Sequence, residues 1–211
     1  MTTKKATTPR RPPDGSVHPK TRAQWGTWLA RNHARAEGVW LITYKMATGK
    51  PRMEYNDAVE EALRFGWIDS KSRALDGERS MLWFAPRKPR TNWSKANRER
   101  VERLVAAGRM AAPGLAKVQA AQRDGSWDAL VGVESLEVPP DLRRALANHA
   151  EAARNFDAFP PSVKRGILEW IHNARQPATR AKRIEETARL AANNIRANQW
   201  RQPRMNGRGD G

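Results

Sequence analysis

The chain has 211 residues, enough for one generous domain or two small ones, and about 39% of them are hydrophobic, so a real core is expected. A formal net charge of +17 points to polyanionic partners in general: nucleic acid, anionic lipid or acidic protein. There is no cysteine, which excludes disulfides and thiolate chemistry. Four scattered histidines argue against a metal site, and no apolar run approaches the roughly 20 residues that span a membrane.

Residues 1–22 hold six Lys/Arg against one acid, and residues 196–211 hold four Arg against one Asp, so most of the charge excess lies between them. The ends, 1–20 and 198–211, have the composition of disordered basic tails. A basic start without an apolar core is no signal peptide, so the expected compartment is the cytoplasm. Thr21 with Gln24 forms a capping box, and Trp25, Trp28 and Leu29 follow helix spacing to about Asn32. Val39–Lys45 reads as a strand and Asn56–Phe65 as a helix with Val59, Ala62 and Leu63 inward, stopped by Gly66.

Trp67–Leu75 and Glu78–Phe84 read as a hairpin around Asp76-Gly77. A two-residue turn puts Asp69 opposite Phe84, with Trp67, Asp69 and Lys71 on one face and Ile68, Met81 and Trp83 on the other. Pro86 and Pro89 break the strand. A helix follows from Ser94 to Ala107 with Val101, Leu104 and Val105 inward, and another opens at Pro113 and ends at Gly125. Residues 126–138 read as a linker with a packed Trp127. The last third is helical: Pro140 opens one helix, Phe156 and Phe159 lie in another, Ser162 caps Val163–Ala174, and Pro177 opens a long helix with Ile184, Leu190 and Ile195.

The expected fold is α+β: a small antiparallel sheet with a β-hairpin packed by helices over 21–125, then the linker, then a helical module over 139–197. The densest chemistry lies in Arg87-Lys-Pro-Arg-Thr-Asn-Trp-Ser94. Arg87, Lys88 and Arg90 precede a helix start at Asn92–Ser94, and guanidinium groups and free helix-start amides both favour negative charge. The competing account is a solvated loop whose Asn92 or Ser94 only caps the helix. Trp93, amid cations, is the best placed tryptophan for an exposed stacking platform; Trp25, Trp28, Trp40, Trp67 and Trp83 could stack bases, but such residues are more often core, and Trp25 and Trp28, on one helical stripe, read as core. Asp69, with Lys71 near, is either a binding or acid–base carboxylate or a structural one. No Gly-rich phosphate loop, nucleophile elbow or metal-ligand spacing is present, so neither a catalytic set nor a cofactor is expected.

Four segments carry a family resemblance: Gly38–Lys45 with Gly49–Pro51; Ala58–Leu63 running into Phe65–Asp69; Phe84–Lys95; and Arg100–Leu104 with Gly108–Met110. Together they resemble the YdeI/OmpD-associated family of bacteriocin-protection proteins, over about Thr21 to Leu190. Val138–Leu142 through Pro177–Ile184 looks like the small helical module named for that association. Tyr55-Asn56 and Ser70-Lys71 depart from the family's usual pattern. The resemblance implies protection against bacteriocins and, by name alone, an envelope association; it implies no reaction.

The reading is thus a non-enzymatic stress- or bacteriocin-protection protein with a basic surface for an anionic ligand or acidic partner. Its site is formed by Arg87, Lys88, Arg90, Asn92, Trp93 and Ser94, with Trp67 and Asp69 as a second wall. The alternatives are a non-specific nucleic-acid-associated protein and an enzyme using Asp69.

Overall fold

A computed structural model of the protein describes residues 10–200. The chain divides into two compact units, Met1–Asp128 and Ala129–Gly211.

In unit 1, helix α1 (Arg22–Asn32) starts where the capping box requires: Thr21 accepts from the Gln24 amide, and the Gln24 side chain accepts from the Lys20 amide at 2.7 Å. Strand β1 (Val39–Tyr44), helix α2 (Tyr55–Arg64), strands β2 (Trp67–Ala74) and β3 (Arg79–Pro86), and helices α3 (Lys95–Ala106) and α4 (Ala112–Arg123) follow. The sheet is antiparallel with order β1-β3-β2. Its inner residues Val39, Leu41, Trp67 and Phe84 meet Trp25 and Leu29 of α1, Val59, Ala62 and Leu63 of α2, and Val101 and Leu104 of α3 in one core. Val105, expected inward, is 49% exposed. Gly66 closes α2 at φ +77, a conformation that side chains disfavour, and turns the chain straight into β2.

Asp69 pairs with Phe84 as expected, but by another route. The turn holds three residues, with the Leu75 amide donating to Arg79 O at 3.0 Å. A bulge between Asp69 and Ser72 then restores the register. The cause of the longer turn is Asp76. Its side chain is 4% exposed and accepts from the amides of Glu78 (3.0 Å) and Arg79 (2.8 Å) and from Arg79 Nη2 (2.6 Å). The bulge moves Lys71 off Asp69's face and sets its ammonium 5.3 Å from the Trp83 ring. Lys71 therefore gives Asp69 no help.

The Arg79 guanidinium, and then backbone amides, hold the Asp76 carboxyl well below the usual carboxylate range. A depressed folded pKa stabilises fully above the unfolded value of about 3.9, and that contribution is lost as pH falls. Asp76→Asn should therefore flatten the fall of the urea midpoint between about pH 5 and 2, followed by tryptophan fluorescence. An unchanged acid slope would exclude Asp76 as its source.

The tail expected over 1–20 is not all tail. Val17 forms a parallel bridge with Leu41, taking a hydrogen bond from Ile42 N at 2.8 Å, and Lys20 Nζ lies 4.5 Å from the Tyr44 ring. Residues 1–9 and 201–211 lie outside the described residues.

Unit 2 contains α5 (Val131–Glu134), α6 (Pro140–Ala147), α7 (Ala152–Ala158), α8 (Pro161–His172) and α9 (Pro177–Ala192). Prolines at 140, 161 and 177 sit in first turns, where their missing N–H is no loss. Because Pro161 already opens α8, Ser162 does not cap it. Leu142, Leu146, Phe156, Ile167, Leu168, Ile171, Ile184 and Ala188 form a separate core. Arg180 holds Asp141 with two hydrogen bonds, 2.8 and 3.0 Å, tying α9 to α6. The linker expected over 126–138 splits between the two units. Trp127 joins the first core, and Leu130 and Val133 join the second. Ile195 lies beyond α9 and is exposed.

Candidate anion-binding site

Where β3 ends at Pro86, the chain loops through residues 87–94 to the start of α3. Ser94 caps that helix by accepting from the Asn97 amide. Arg87 turns inward. Its amide donates to Gly66 O at 2.9 Å, its guanidinium carbon lies 3.7 Å from the centre of the Trp93 ring, and Nη2 donates to the carbonyls of Thr91 and Asn92. Arg87 is only 6% exposed, and its Nε has no hydrogen-bond partner. Burial pushes its pKa down to about 10. It is a desolvated cation held by carbonyl dipoles and a π face rather than by a carboxylate.

The loop is pinned from the other side by the end of α4. Trp93 N donates to Ser126 O at 3.2 Å, and the Trp93 and Trp127 rings lie 4.9 Å apart. Between the two segments is a cavity of about 70 Å³ edged by Arg87, Lys88, Arg90, Lys117, Asp124 and Ser126. A single water needs roughly 10–15 Å³ on this measure, so the cavity has room for a small oxyanion. Four cations face one carboxylate there. The adjacent Ser126 side chain, whose hydroxyl makes no full hydrogen bond, and the Ser126 amide at 2.9 Å hold the Asp124 carboxyl below its usual range, and the Arg90 amide and charge add to this. Arg90 sits at φ 55, the left-handed region, which a non-glycine residue adopts only where its surroundings hold it there.

The structure therefore redistributes the expected site. Lys88 and Arg90 are exposed at the cavity's edge. Arg87 supports the loop from inside and is not a free gripping arm. Trp93 is 1% exposed, so it is a buried platform for Arg87 and not a surface for bases. Ser94 is the helix cap, and the Asn92 carbonyl is engaged by Arg87. Trp67 is fully buried with its indole N–H on His33 O at 3.0 Å, and the Asp69 carboxylate accepts from the Tyr55 hydroxyl at 3.0 Å. Neither forms a second wall to the cavity.

Lys117 on α4, and Asp124 and Ser126 just past its end, lie some thirty residues downstream and carry no signal in the loop's own sequence. The one available signal was Trp127, an aromatic after a helix stop that needed a partner. In unit 2 a larger cavity, about 240 Å³, is lined by Val133, Glu137, Leu168, His172 and Arg180, but Arg180 is already bound to Asp141. Among the described residues no three His, Cys, Asp or Glu side chains gather as metal ligands, and no helix is long and apolar enough to cross a membrane.

The first unit is thus a helix-packed three-stranded sheet with a cationic loop, and the second an all-helical module. Residues 135–194, which include α6 to α9 of that module, match the family described as bacteriocin-protection, YdeI or OmpD-associated. Residues 17–117 match a domain of unknown function, DUF8412, so the motifs of the N-terminal half fall under that second description. Each match covers less than half of the chain. No curated protein and no solved structure matches it.

Proposed function

We propose that this is a cytoplasmic, non-enzymatic bacteriocin-protection protein of the YdeI/OmpD-associated type whose N-terminal unit holds a small oxyanion beside the Arg87–Ser94 loop. The match over 135–194 supports the family type alone. The second rests on one observation: a cavity edged by Lys88, Arg90 and Lys117 above a buried Arg87, with Asp124 as its one carboxylate. A buried cation without an acidic partner is costly, and an anion bound beside it offsets part of that cost. The anion would take the excess positive charge of the rim, with Lys88 and Lys117 as its most adaptable donors.

Calorimetric titration with inorganic phosphate at low ionic strength tests this. Saturable binding to the wild-type chain is expected. Lys88→Ala/Lys117→Ala should weaken it by about tenfold or more, which is about 1.4 kcal/mol, with the urea midpoint unchanged. No heat from either phosphate or sulfate, or equal affinity in the double variant, would remove the site.

A further inference from the structure

We infer that the outer face of the unit 1 sheet binds single-stranded nucleic acid, with Trp40 and Trp83 stacking bases and Lys71 and Arg73 taking the phosphates. Trp40 on β1 and Trp83 on β3 are directly opposite in register, with ring centres 5.2 Å apart and planes at 68°. Both remain partly exposed. The Trp83 ring lies close over Gly38, where a Cβ would come within 2.6 Å of it, so the ring is fixed against the backbone. Lys71 Nζ lies 5.6 and 5.3 Å from the two rings, and the Arg73 guanidinium lies 5.7 Å from Trp40. Lys71 and Arg73 are themselves exposed, on the edge strand β2. The bulge after Asp69 is what brings Lys71 to this face.

The far end of the same face is closed by Ile42, Leu75 and Met81. The acids at that end are engaged: Asp76 holds Arg79, and Glu78 holds Lys50 at 2.6 Å. The patch around the two tryptophans is therefore aromatic and cationic together. Cations on an edge strand also discourage strand pairing. That role needs no pair of partly exposed tryptophans, for which Thr or Ser would serve. The carboxylates of an acidic peptide would meet the cations but offer nothing to the rings, and duplex DNA keeps its bases stacked within. A single strand presents both phosphates and free π faces, and the chain's charge of +17 adds attraction at long range.

The test is fluorescence anisotropy of the full chain with a labelled oligodeoxythymidine of about 16 nucleotides. Wild type should bind it more tightly than a duplex of equal length, and affinity should fall with salt. Lys71→Ala/Arg73→Ala should weaken binding by about tenfold with a shallower salt slope, and Trp83→Leu should weaken it by a similar factor with the slope retained. The basic chain ends are common to every variant and cancel in the comparison. Lys88→Ala/Lys117→Ala should bind the oligonucleotide as wild type does, which separates this face from the oxyanion cavity. Unchanged affinity in the folded sheet variants would overturn the inference. So would equal binding to duplex or to phosphatidylserine vesicles, or loss confined to the Lys88/Lys117 variant.

Discussion

Glu61→Ala should destabilise unit 1 by about 3–5 kcal/mol, among the largest losses any single change in this protein would produce. Glu61 lies on α2 and is 3% exposed. One carboxylate oxygen takes the Arg22 Nε at 2.9 Å, and the other takes Arg64. Removing the carboxylate takes one partner from each of two part-buried guanidinium groups at the junction of α1 and α2; Arg64 keeps only the hydrogen bond to the Arg109 carbonyl, at 2.6 Å. Arg22 keeps Asp57 at 3.0 Å and Glu60 at 3.2 Å, which places the loss toward the lower end of that range. Glu61→Gln keeps the shape and loses the charge, and should cost about half as much. Gly26 belongs to the same arrangement: a Cβ there would lie 2.5 Å from Glu61 Oε1, so Gly26→Ala must push the carboxylate off its partners. Urea unfolding followed by tryptophan fluorescence reads all three. A loss below about 1 kcal/mol for Glu61→Ala would mean that the pairs contribute no more than surface ion pairs do.

Arg87→Ala comes second, at about 3 kcal/mol. The change removes a guanidinium stacked 3.7 Å over Trp93, leaves the Thr91 and Asn92 carbonyls without their donor, and opens a hole beside the loop. Relief of the cation's own desolvation limits the loss. Arg87→Lys should recover little, because an ammonium cannot stack flat on the indole while reaching both carbonyls. Because the loop itself should loosen in Arg87 variants, any loss of phosphate there would not report on the proposed anion site. A wild-type urea midpoint in Arg87→Ala would show that the stack contributes nothing.

The elements were largely legible because their signals are local. Thr21 with Gln24, the apolar stripe Val59–Ala62–Leu63, and prolines 140 and 177 each mark a helix without tertiary help. The hairpin's far register was right although its turn was not. A three-residue turn shifts the pairing by one, and the bulge between Asp69 and Ser72 shifts it back; the turn follows from Asp76 bonding two amides and Arg79, which no propensity records. The site was half legible. Cations before a helix start are visible in sequence. What was not visible is which cation turns in, because that depends on Trp93 meeting Trp127 and on Ser126 accepting the Trp93 amide. Trp93 reads as exposed because its neighbours are charged, and it is buried because its partners, Ser126 and Trp127, lie past the end of α4. Trp40 and Trp83 show the converse, as aromatics that the sheet leaves partly open.

The central claim, an oxyanion held between the Arg87–Ser94 loop and the end of α4, is tested most directly by crystallography with tungstate and its anomalous signal. The peak should fall in the cavity edged by Lys88, Arg90 and Lys117 and vanish in Lys88→Ala/Lys117→Ala. An empty cavity beside a tungstate bound elsewhere, or a peak unmoved in the double variant, would contradict it.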